Sequence, residues 1–369
     1  MPLLEKIIIQ DFRNIALQEL EFSPKLNCIS GGNGEGKTNL LEAIWYLSMT
    51  KSTFAGSEKF CFRHGCSSFS ISGLYLMDPR TQKRSRFSIQ AGVNSEKKLR
   101  RDDKAYERIS DHIGVLPIVM VSPSDYSLVS ESGDERRRFV NSVLSQMDAR
   151  YLGDMQQYNR LLSQRNSLLK SERPDEGLLE TFDLRLDSLA GRIWECRQQF
   201  VAELEPLVRD FYGRICPGRE SVKIEYRSAL GGDSLEALLR RSRQKDLALK
   251  FTTEGIHRDD FIFTMDSSPI RRCGSQGQQK SFLVALKFAQ YSLMDARSGV
   301  KPILLLDDLL DKLDMQRASH LLDMVSGQEF GQIFISDSDR ARTAAAIDPC
   351  TTERAYFKAE GGVFTRIDG

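Results

Sequence analysis

The sequence predicts an α/β head: a P-loop sheet of parallel or mixed strands, further antiparallel strands, and an inserted helical lobe shaped as an αα hairpin. Three observations predict it. A strand-like run, Leu26 to Ser30, feeds the glycine-rich loop Gly31-Gly32-Asn33-Gly34-Glu35-Gly36-Lys37-Thr38. A second run, Ile303-Leu304-Leu305-Leu306, is continuously apolar and ends in Asp307-Asp308, as suits a strand buried on both faces of a parallel sheet. Between them, from about Asp134 to Ile215, apolar residues recur at helical spacing. The expected division is a head formed by 1–133 and 250–369, packed together, with 134–249 as the helical insertion.

The elements follow in order. Leu4 to Ile9 and Leu17 to Phe22 read as strands ahead of Leu26 to Ser30, and Leu40, Leu41, Ile44, Trp45 and Leu47 give the helix after the loop an apolar face. Phe69 to Leu76 and Phe87 to Val93 alternate and flank a polar turn, so they read as antiparallel strands. A buried strand, Ile118 to Val121, runs into Ser122-Pro123. The series Val140, Leu144, Met147, Tyr151, Met155, Tyr158, Leu162 advances in steps of three and four. A second series runs from Phe182 to Ile215 with Arg197 as its one polar member. Two such helices joined by a short turn make an antiparallel hairpin with arms of roughly 45–55 Å at 1.5 Å per residue. An extended arm and an ordinary helical subdomain both satisfy this pattern. Strands are expected again at Val222 to Tyr226 and Phe261 to Met265, a helix at Gln278 to Met294, another at Met315 to Val325, and a strand at Gln332 to Ile335. The tail, Ala355 to Ile367, reads as a hairpin turning at Gly361-Gly362.

Composition bounds the function. The 369 residues carry 52 Lys plus Arg against 51 Asp plus Glu, a formal charge of +1, which excludes a polycation that coats nucleic acid by bulk charge. No apolar run approaches the roughly 20 residues of a membrane span, and the N-terminus lacks a signal-peptide pattern. The seven Cys, at 28, 61, 66, 196, 216, 273 and 350, include no Cys-x-x-Cys pair. This argues against a zinc site or disulfide framework and for a reducing cytoplasm.

Gly31-x4-Gly36-Lys37-Thr38 is a full Walker A loop. Its glycines allow backbone N–H groups to aim inward at a helix N-terminus, Lys37 reaches the β- and γ-phosphates, and the Thr38 hydroxyl ligates Mg²⁺. Ile303 to Asp308 is the matching Walker B strand: Asp307 is assigned to the Mg²⁺ shell and Asp308 to the attacking water. Gly274-Ser275-Gln276-Gly277-Gln278-Gln279-Lys280 opens another helix and offers a second phosphate-binding surface. One nucleotide does not need two such surfaces from one chain. Two chains head to tail, each presenting this segment to the other's Walker A loop, is the economical geometry.

These motifs, with Leu313-Asp314 after the Walker B acids, resemble the ABC-type ATPase heads of the SMC, Rad50 and RecF group. Phe12-Arg13-Asn14, Ser122-Pro123-x-Asp125 with Glu135-Arg136-Arg137-Arg138-Phe139, and Gly255-x-His257-Arg258-Asp259-Asp260 resemble segments of the RecF family of bacterial DNA replication and repair proteins. The resemblance spans the whole chain and implies an ATP-dependent DNA-binding homodimer and weak, DNA-stimulated ATPase. It implies action in the cytoplasm, at the nucleoid, in gap repair, recombination and the SOS response. RecO and RecR would be partners, helping RecA load at junctions of double- and single-stranded DNA. ATP and Mg²⁺ would be cofactors. Carried over by position, Gly31, Asn33, Gly34, Gly36, Lys37, Thr38 and Asn39 bind nucleotide, Arg13 sits near the phosphates, and Ser275, Gly277 and Gln278 meet the opposite subunit's γ-phosphate. Asp314 is the acid at the dimer seam, and Asp125 senses Mg²⁺ beside Thr38 and Asp307.

Some positions depart from that family's pattern. Ser124 and Tyr126 replace Glu and Leu around Asp125, Asn141 replaces Asp, and Gly274 precedes the signature Ser. Ser336-Asp337-Ser338-Asp339 stands where a run of Thr is usual. Asp308 is shorter than the Glu of faster ABC ATPases, which implies slow turnover. Four basic clusters are candidate DNA contacts: Lys83-Arg84-x-Arg86, Lys97-Lys98-x-Arg100-Arg101, Arg136 to Arg138, and Arg240-Arg241-x-Arg243. No helix-turn-helix or zinc-finger pattern is present, so binding to backbone and shape is expected.

Overall fold

The computed structural model describes residues 1–54, 57–93, 95–131, 133–218, 220–308, 315–339, 344 and 353–367. The chain packs as two compact units: Met1–Tyr126 with Phe211–Gly218 and Ser275–Gly369, and Ser127–Asp210 with Arg219–Gly274. Residues 250–274, expected with the head, belong to the second unit. Among the described residues no helix is long and apolar enough to cross a membrane.

The first unit holds two six-stranded sheets. One is antiparallel, in the order β2-β1-β4-β5-β6-β7: β1 (Leu3–Phe12), β2 (Ile15–Glu21), β4 (Ser68–Asp78), β5 (Lys83–Gly92), β6 (Ser95–Arg101) and β7 (Lys104–Ala105). Its inner face is set by alternation. Ile7 and Ile9 on β1, Ile71 and Tyr75 on β4, Phe87 and Ile89 on β5, and Leu99 on β6 are buried. The other sheet is mixed, in the order β15-β14-β3-β13-β12-β8: β3 (Leu26–Ser30), β8 (Ile118–Val121), β12 (Ile303–Leu306), β13 (Ile333–Asp337), β14 (Arg354–Glu360) and β15 (Val363–Ile367). Here β3, β13, β12, β8 and β14 run parallel, and β15 is antiparallel to β14. All residues of β8, β12 and β13 are buried, which explains the unbroken apolar sequence of β8 and β12; β13 is apolar over Ile333 to Ile335 and ends in the polar pair Ser336-Asp337. The helix α1 (Lys37–Met49) buries Leu40, Leu41, Ile44 and Leu47 in the same core as Ile29, Leu305 and Phe334. At the end of β14 the chain reverses through Gly361 and Gly362, at φ 58° and 83°, so that Glu360 pairs with Val363. Two consecutive positive φ values favour glycine at both places.

The second unit contains α2 (Ser127–Ser130), α3 (Gly133–Met147), α4 (Ala149–Leu169), most of α5 (Glu176–Ile215), α6 (Leu235–Leu249), α7 (Ile270–Cys273) and a three-stranded sheet of β9 (Val222–Arg227), β10 (Asp260–Met265) and β11 (Ser268–Pro269). The single seam expected from Val140 to Leu162 is two helices. Asp148 ends one and caps the other, its carboxylate accepting from the Arg150 amide at 2.8 Å. The α4–α5 pair is an antiparallel hairpin: Tyr151 lies by Arg197, Asp154 by Arg192 and Asp183 by Arg165. It is a packed subdomain rather than a lone arm, because Arg165 also reaches Asp246 on α6 at 2.8 Å and Thr252 at 2.8 Å. Arg197, the polar member of the seam, is 1% exposed and is bound by Asp259, Asn141, Tyr151 and the Ile256 carbonyl. The remaining helices of the first unit, α8 (Gln276–Ser298) and α9 (Met315–Ser326), frame the Walker B strand in sequence.

Candidate nucleotide site

The loop between β3 and α1 is shaped by close approach. A Cβ on Gly31 would stand 2.5 Å from the Ala359 carbonyl of β14, and one on Gly36, at φ 104°, would stand 2.8 Å from the Asn14 amide. Side chains are excluded at both places. Asn14 also accepts from Asn39 at 2.7 Å, and the Gly361-Gly362 turn donates its amides to the Glu35 side chain and carbonyl. The loop is thus clamped from the β1–β2 turn and from the β14–β15 turn. Asn33 and Gly34 lie exposed at its crest.

Lys37 is 4% exposed and donates to the carbonyls of Gly31 at 2.8 Å and Gly32 at 3.1 Å. Its ammonium is 3.7 Å from Asp308. The Thr38 hydroxyl donates to both carboxylate oxygens of Asp307, at 3.0 and 2.9 Å. The Ser336 hydroxyl donates to Asp307 at 2.7 Å and accepts from the Asp308 amide at 2.9 Å. Walker A and Walker B are therefore joined by a chain of hydroxyls around one buried acid. Burial pushes the Asp307 carboxyl above its usual range, partly offset by Ser336 and Thr38. Asp308 sits at φ 43°, and among the described residues its buried Oδ1 has no hydrogen-bond partner. A strained, unsatisfied carboxylate oxygen beside a lysine is an unfilled acceptor.

Other expected residues lie elsewhere or do other work. Arg13 makes a bidentate pair with Glu42 of α1, at 2.8 Å twice, so its guanidinium is held by a buried carboxylate. Ser275 caps α8 in a reciprocal box: Gln278 N donates to Ser275 Oγ at 3.3 Å, and Ser275 N to Gln278 Oε1 at 2.7 Å. Gly277 is where the Arg317 guanidinium of α9 lies against α8, and a side chain there would have to push that flexible arm aside. Asp125, expected as a metal ligand, instead pairs with Lys287 of α8 at 2.7 Å and accepts from the Ser122 amide at 2.8 Å. A metal there would have to displace a cation, so Asp125 ties its turn to α8. Leu313 and Asp314 lie outside the described residues.

Comparison with known proteins accords with this geometry. An AAA domain model matches residues 6–199. The DNA replication and repair protein RecF of Porphyromonas gingivalis is 41% identical over 361 residues, 98% of this chain and 99% of that protein. RecF of Flavobacterium johnsoniae is 40% identical over 96% of this chain and 98% of its own length. The chain belongs to the RecF family. A solved structure of the recombination mediator protein RecF-ATP in the RecFOR pathway superposes with TM-score 0.89 at 29% identity, covering 100% of this chain and 98% of that one. An Smc head domain from Pyrococcus furiosus shares the fold alone, with TM-score 0.59 and 14% identity.

Within this RecF-family head, sequence reasoning passed over Asn14 and Lys287 as parts of the site, and it placed Ser336 in the segment of the γ-phosphate sensor without assigning the residue. Asn14 was visible only as a neighbour of Arg13. Ser336 lies in a segment where the more conspicuous departure from the family pattern is Asp337, which is buried and accepts from the Asp339 amide at 2.9 Å. The donor set fits Mg²⁺: one hydroxyl and one carboxylate side by side, hard oxygen ligands of the kind that share that ion with phosphates and water. Among the described residues no cluster of three or more His, Cys, Asp or Glu forms a metal cage of its own.

Proposed function

We propose that this RecF-family chain is a slow ATPase whose ATP-bound dimer grips duplex DNA and junctions with single-stranded DNA, and whose hydrolysis lets go. The observation that carries the reading is the Lys37–Asp308 and Thr38–Asp307–Ser336 arrangement around the glycine loop. Triphosphate enters where the Gly31 and Gly32 carbonyls now hold Lys37, and the lysine exchanges these carbonyls for phosphate oxygens. Thr38 and Asp307 would hold Mg²⁺, which neutralises charge on the transferring phosphoryl group. Asp308, its backbone fixed by Ser336, accepts a hydrogen bond from the attacking water through Oδ1, which the Lys37 ammonium faces at 3.7 Å without hydrogen bonding to it. The aspartate arm is short, and turnover is slow.

The capped start of α8 serves the nucleotide of a second copy. Gly277 adds no side chain of its own over the first turn, where the Arg317 guanidinium also lies, and Ser275 exchanges its box for a γ-phosphate oxygen. The RecF-ATP neighbour in the RecFOR pathway supports ATP as ligand. RecO and RecR are the partners of this reading, gap repair its setting and RecA loading its outcome.

Sedimentation with ATP, ADP or no nucleotide, with and without duplex DNA, tests the reading. A two-chain species should form only with ATP, and Ser275→Arg should abolish it together with phosphate release. A P-loop kinase acting on a small molecule would keep its activity in Ser275→Arg and stay single-chain, and that outcome would replace this reading.

A further inference from the structure

The four basic clusters look alike in sequence, and the structure separates them. Arg136 is bidentate to Asp260 at 2.8 and 3.0 Å, Arg137 pairs with Asp134, and Arg138 pairs with Glu135. Arg240 pairs with Glu236, Arg241 with Asp233 at 2.6 Å, and Arg243 with Asp183 at 2.9 Å. Both helical clusters are neutralised by neighbouring acids.

The two strand clusters are divided by the pleat. On β6, Lys97 and Arg101 share the inward face with buried Leu99. Lys97 donates to the Thr50 carbonyl at 2.7 Å, and the Arg101 guanidinium lies 5.3 Å from the Phe87 ring centroid. Lys98 and Arg100 point the other way. Register places Arg100 opposite Ser88 and Lys98 opposite Gln90 of β5, and Arg86 is two residues along β5 on the same face. Arg84, next along, is taken by Glu5 at 2.8 Å. Arg86, Lys98 and Arg100 are exposed, and among the described residues none has an ion-pair partner. Of the acids nearby, Asp102 accepts from the Arg86 backbone amide at 2.8 Å, and exposed Glu96 stands two residues from Lys98 on the same face of β6, so the three cations outnumber it.

We infer that the outer face of β5 and β6 is where duplex DNA lies, its phosphates met by Arg86, Lys98 and Arg100. This deepens the proposed function and rests on it. Same-face residues on a strand are about 7 Å apart and strands about 4.8 Å, so three cations cover a stretch of only a few phosphates. Their neighbours include Ser88 and Gln90 on β5 and Ser70 and Ser72 on β4, hydrogen-bonding residues suited to backbone oxygens, with Leu74 opposite Arg86 as the apolar member. No aromatic ring stands among them, so the face has no platform for stacking unpaired bases. A rigid pleated surface with unpaired cations reads duplex backbone, not base sequence.

The experiment is duplex binding by fluorescence anisotropy, with a non-hydrolysable ATP analogue, across a salt series. Arg86→Ala/Lys98→Ala/Arg100→Ala should weaken binding by at least about tenfold near physiological salt. It should also lower the slope of log affinity against log salt by about 0.9 for each phosphate that is no longer neutralised. ATP-driven pairing of the variant, read by sedimentation, should match the parent and shows that the fold and nucleotide site persist. Arg240→Ala/Arg241→Ala, which removes cations already neutralised, should leave both affinity and slope unchanged. The inference is overturned if the triple variant binds duplex with the parental slope, if the control variant loses as much, or if only single-strand binding falls. A parent that pairs with ATP yet ignores all DNA would overturn the proposed function as well.

Discussion

Asp307 and Asp259 are both buried, at 2% and 3% exposure, and burial raises both carboxyls above their usual range. They differ in what faces them. Asp259, in the second unit, meets the Arg197 guanidinium at 2.7 Å and the Tyr226 hydroxyl at 2.5 Å. Arg197 in turn has every donor nitrogen engaged. Asp307, in the first unit, accepts only from the Thr38 and Ser336 hydroxyls; the Lys37 charge acts on it from a distance, and among the described residues no cation forms an ion pair with it. A buried acid with its own arginine is architecture. One left with hydroxyls is a place kept for a cation that arrives with a ligand.

The difference is broken most directly through activity. Asp307→Asn should lower phosphate release by at least about 10²-fold, because the amide cannot supply a second anionic oxygen beside Thr38. Asp259→Asn should leave turnover per folded molecule within about twofold, since an acid held by its own arginine has no part in the chemistry. Equal losses in active-site-titrated protein would erase the distinction.

Stability should respond in the opposite order. Arg197→Ala strands Asp259 in the interior and should cost about 3–5 kcal/mol, the usual penalty for breaking a buried pair. Denaturant unfolding, followed at residues of the second unit by hydrogen exchange, reads it. A loss under about 1 kcal/mol would mean that the network is ornamental.

The sequence made some of this legible and hid the rest for physical reasons. Runs that need burial on both faces, such as Ile303 to Leu306, announce a parallel strand, and the glycine loop announces its ligand. The strand Ser95–Arg101 was not legible, because Leu99 alone marks its buried face among six polar residues. The break at Asp148 was hidden because helical steps of three and four continue across it. Above all, ion pairing between distant residues has no local signal. Nothing near Arg13 foretold Glu42, nor anything near Asp125 foretold Lys287. Site chemistry was therefore readable where a motif names its own role, as with Thr38 and Asp307, and unreadable where a lone side chain finds its partner in a distant segment.

Histidines sharpen the contrast between units. Burial lowers His112 and His257 to about 4, with Leu47 and Thr252 carbonyls as partial compensation. A group depressed in the folded state binds more protons when unfolded. Its stability is present above the unfolded value near 6.5 and lost as pH falls toward 4, at up to about 1.4 kcal/mol per pH unit. His257→Gln should flatten that acid loss for the second unit and leave the first unit's slope, set by His112, unchanged. Identical pH profiles for parent and variant would remove burial of His257 as the cause.

The unpaired acid also makes a prediction of the opposite sign. With its carboxyl raised, ionised Asp307 works against folding until a ligand arrives. Asp307→Asn should stabilise nucleotide-free protein at neutral pH by about 1 kcal/mol, the scale typical of a site where function opposes stability. The gain should shrink as pH falls through the Asp307 range, because the parent then carries a proton there too. A variant less stable than the parent at pH 7 would mean that the Thr38 and Ser336 hydroxyls already satisfy the charge.

The smallest effect separates a cap from a phosphate ligand. Ser275 closes the capping box of α8, and glycine is nearly as good at that position, so Ser275→Gly should cost only a few tenths of a kcal/mol. The proposed second use, a hydroxyl offered to the partner's γ-phosphate, has no substitute in glycine. ATP-driven pairing should therefore weaken measurably while the melting temperature barely moves. If pairing is untouched, the hydroxyl serves the helix alone, and the first turn of α8 meets phosphate through its backbone amides.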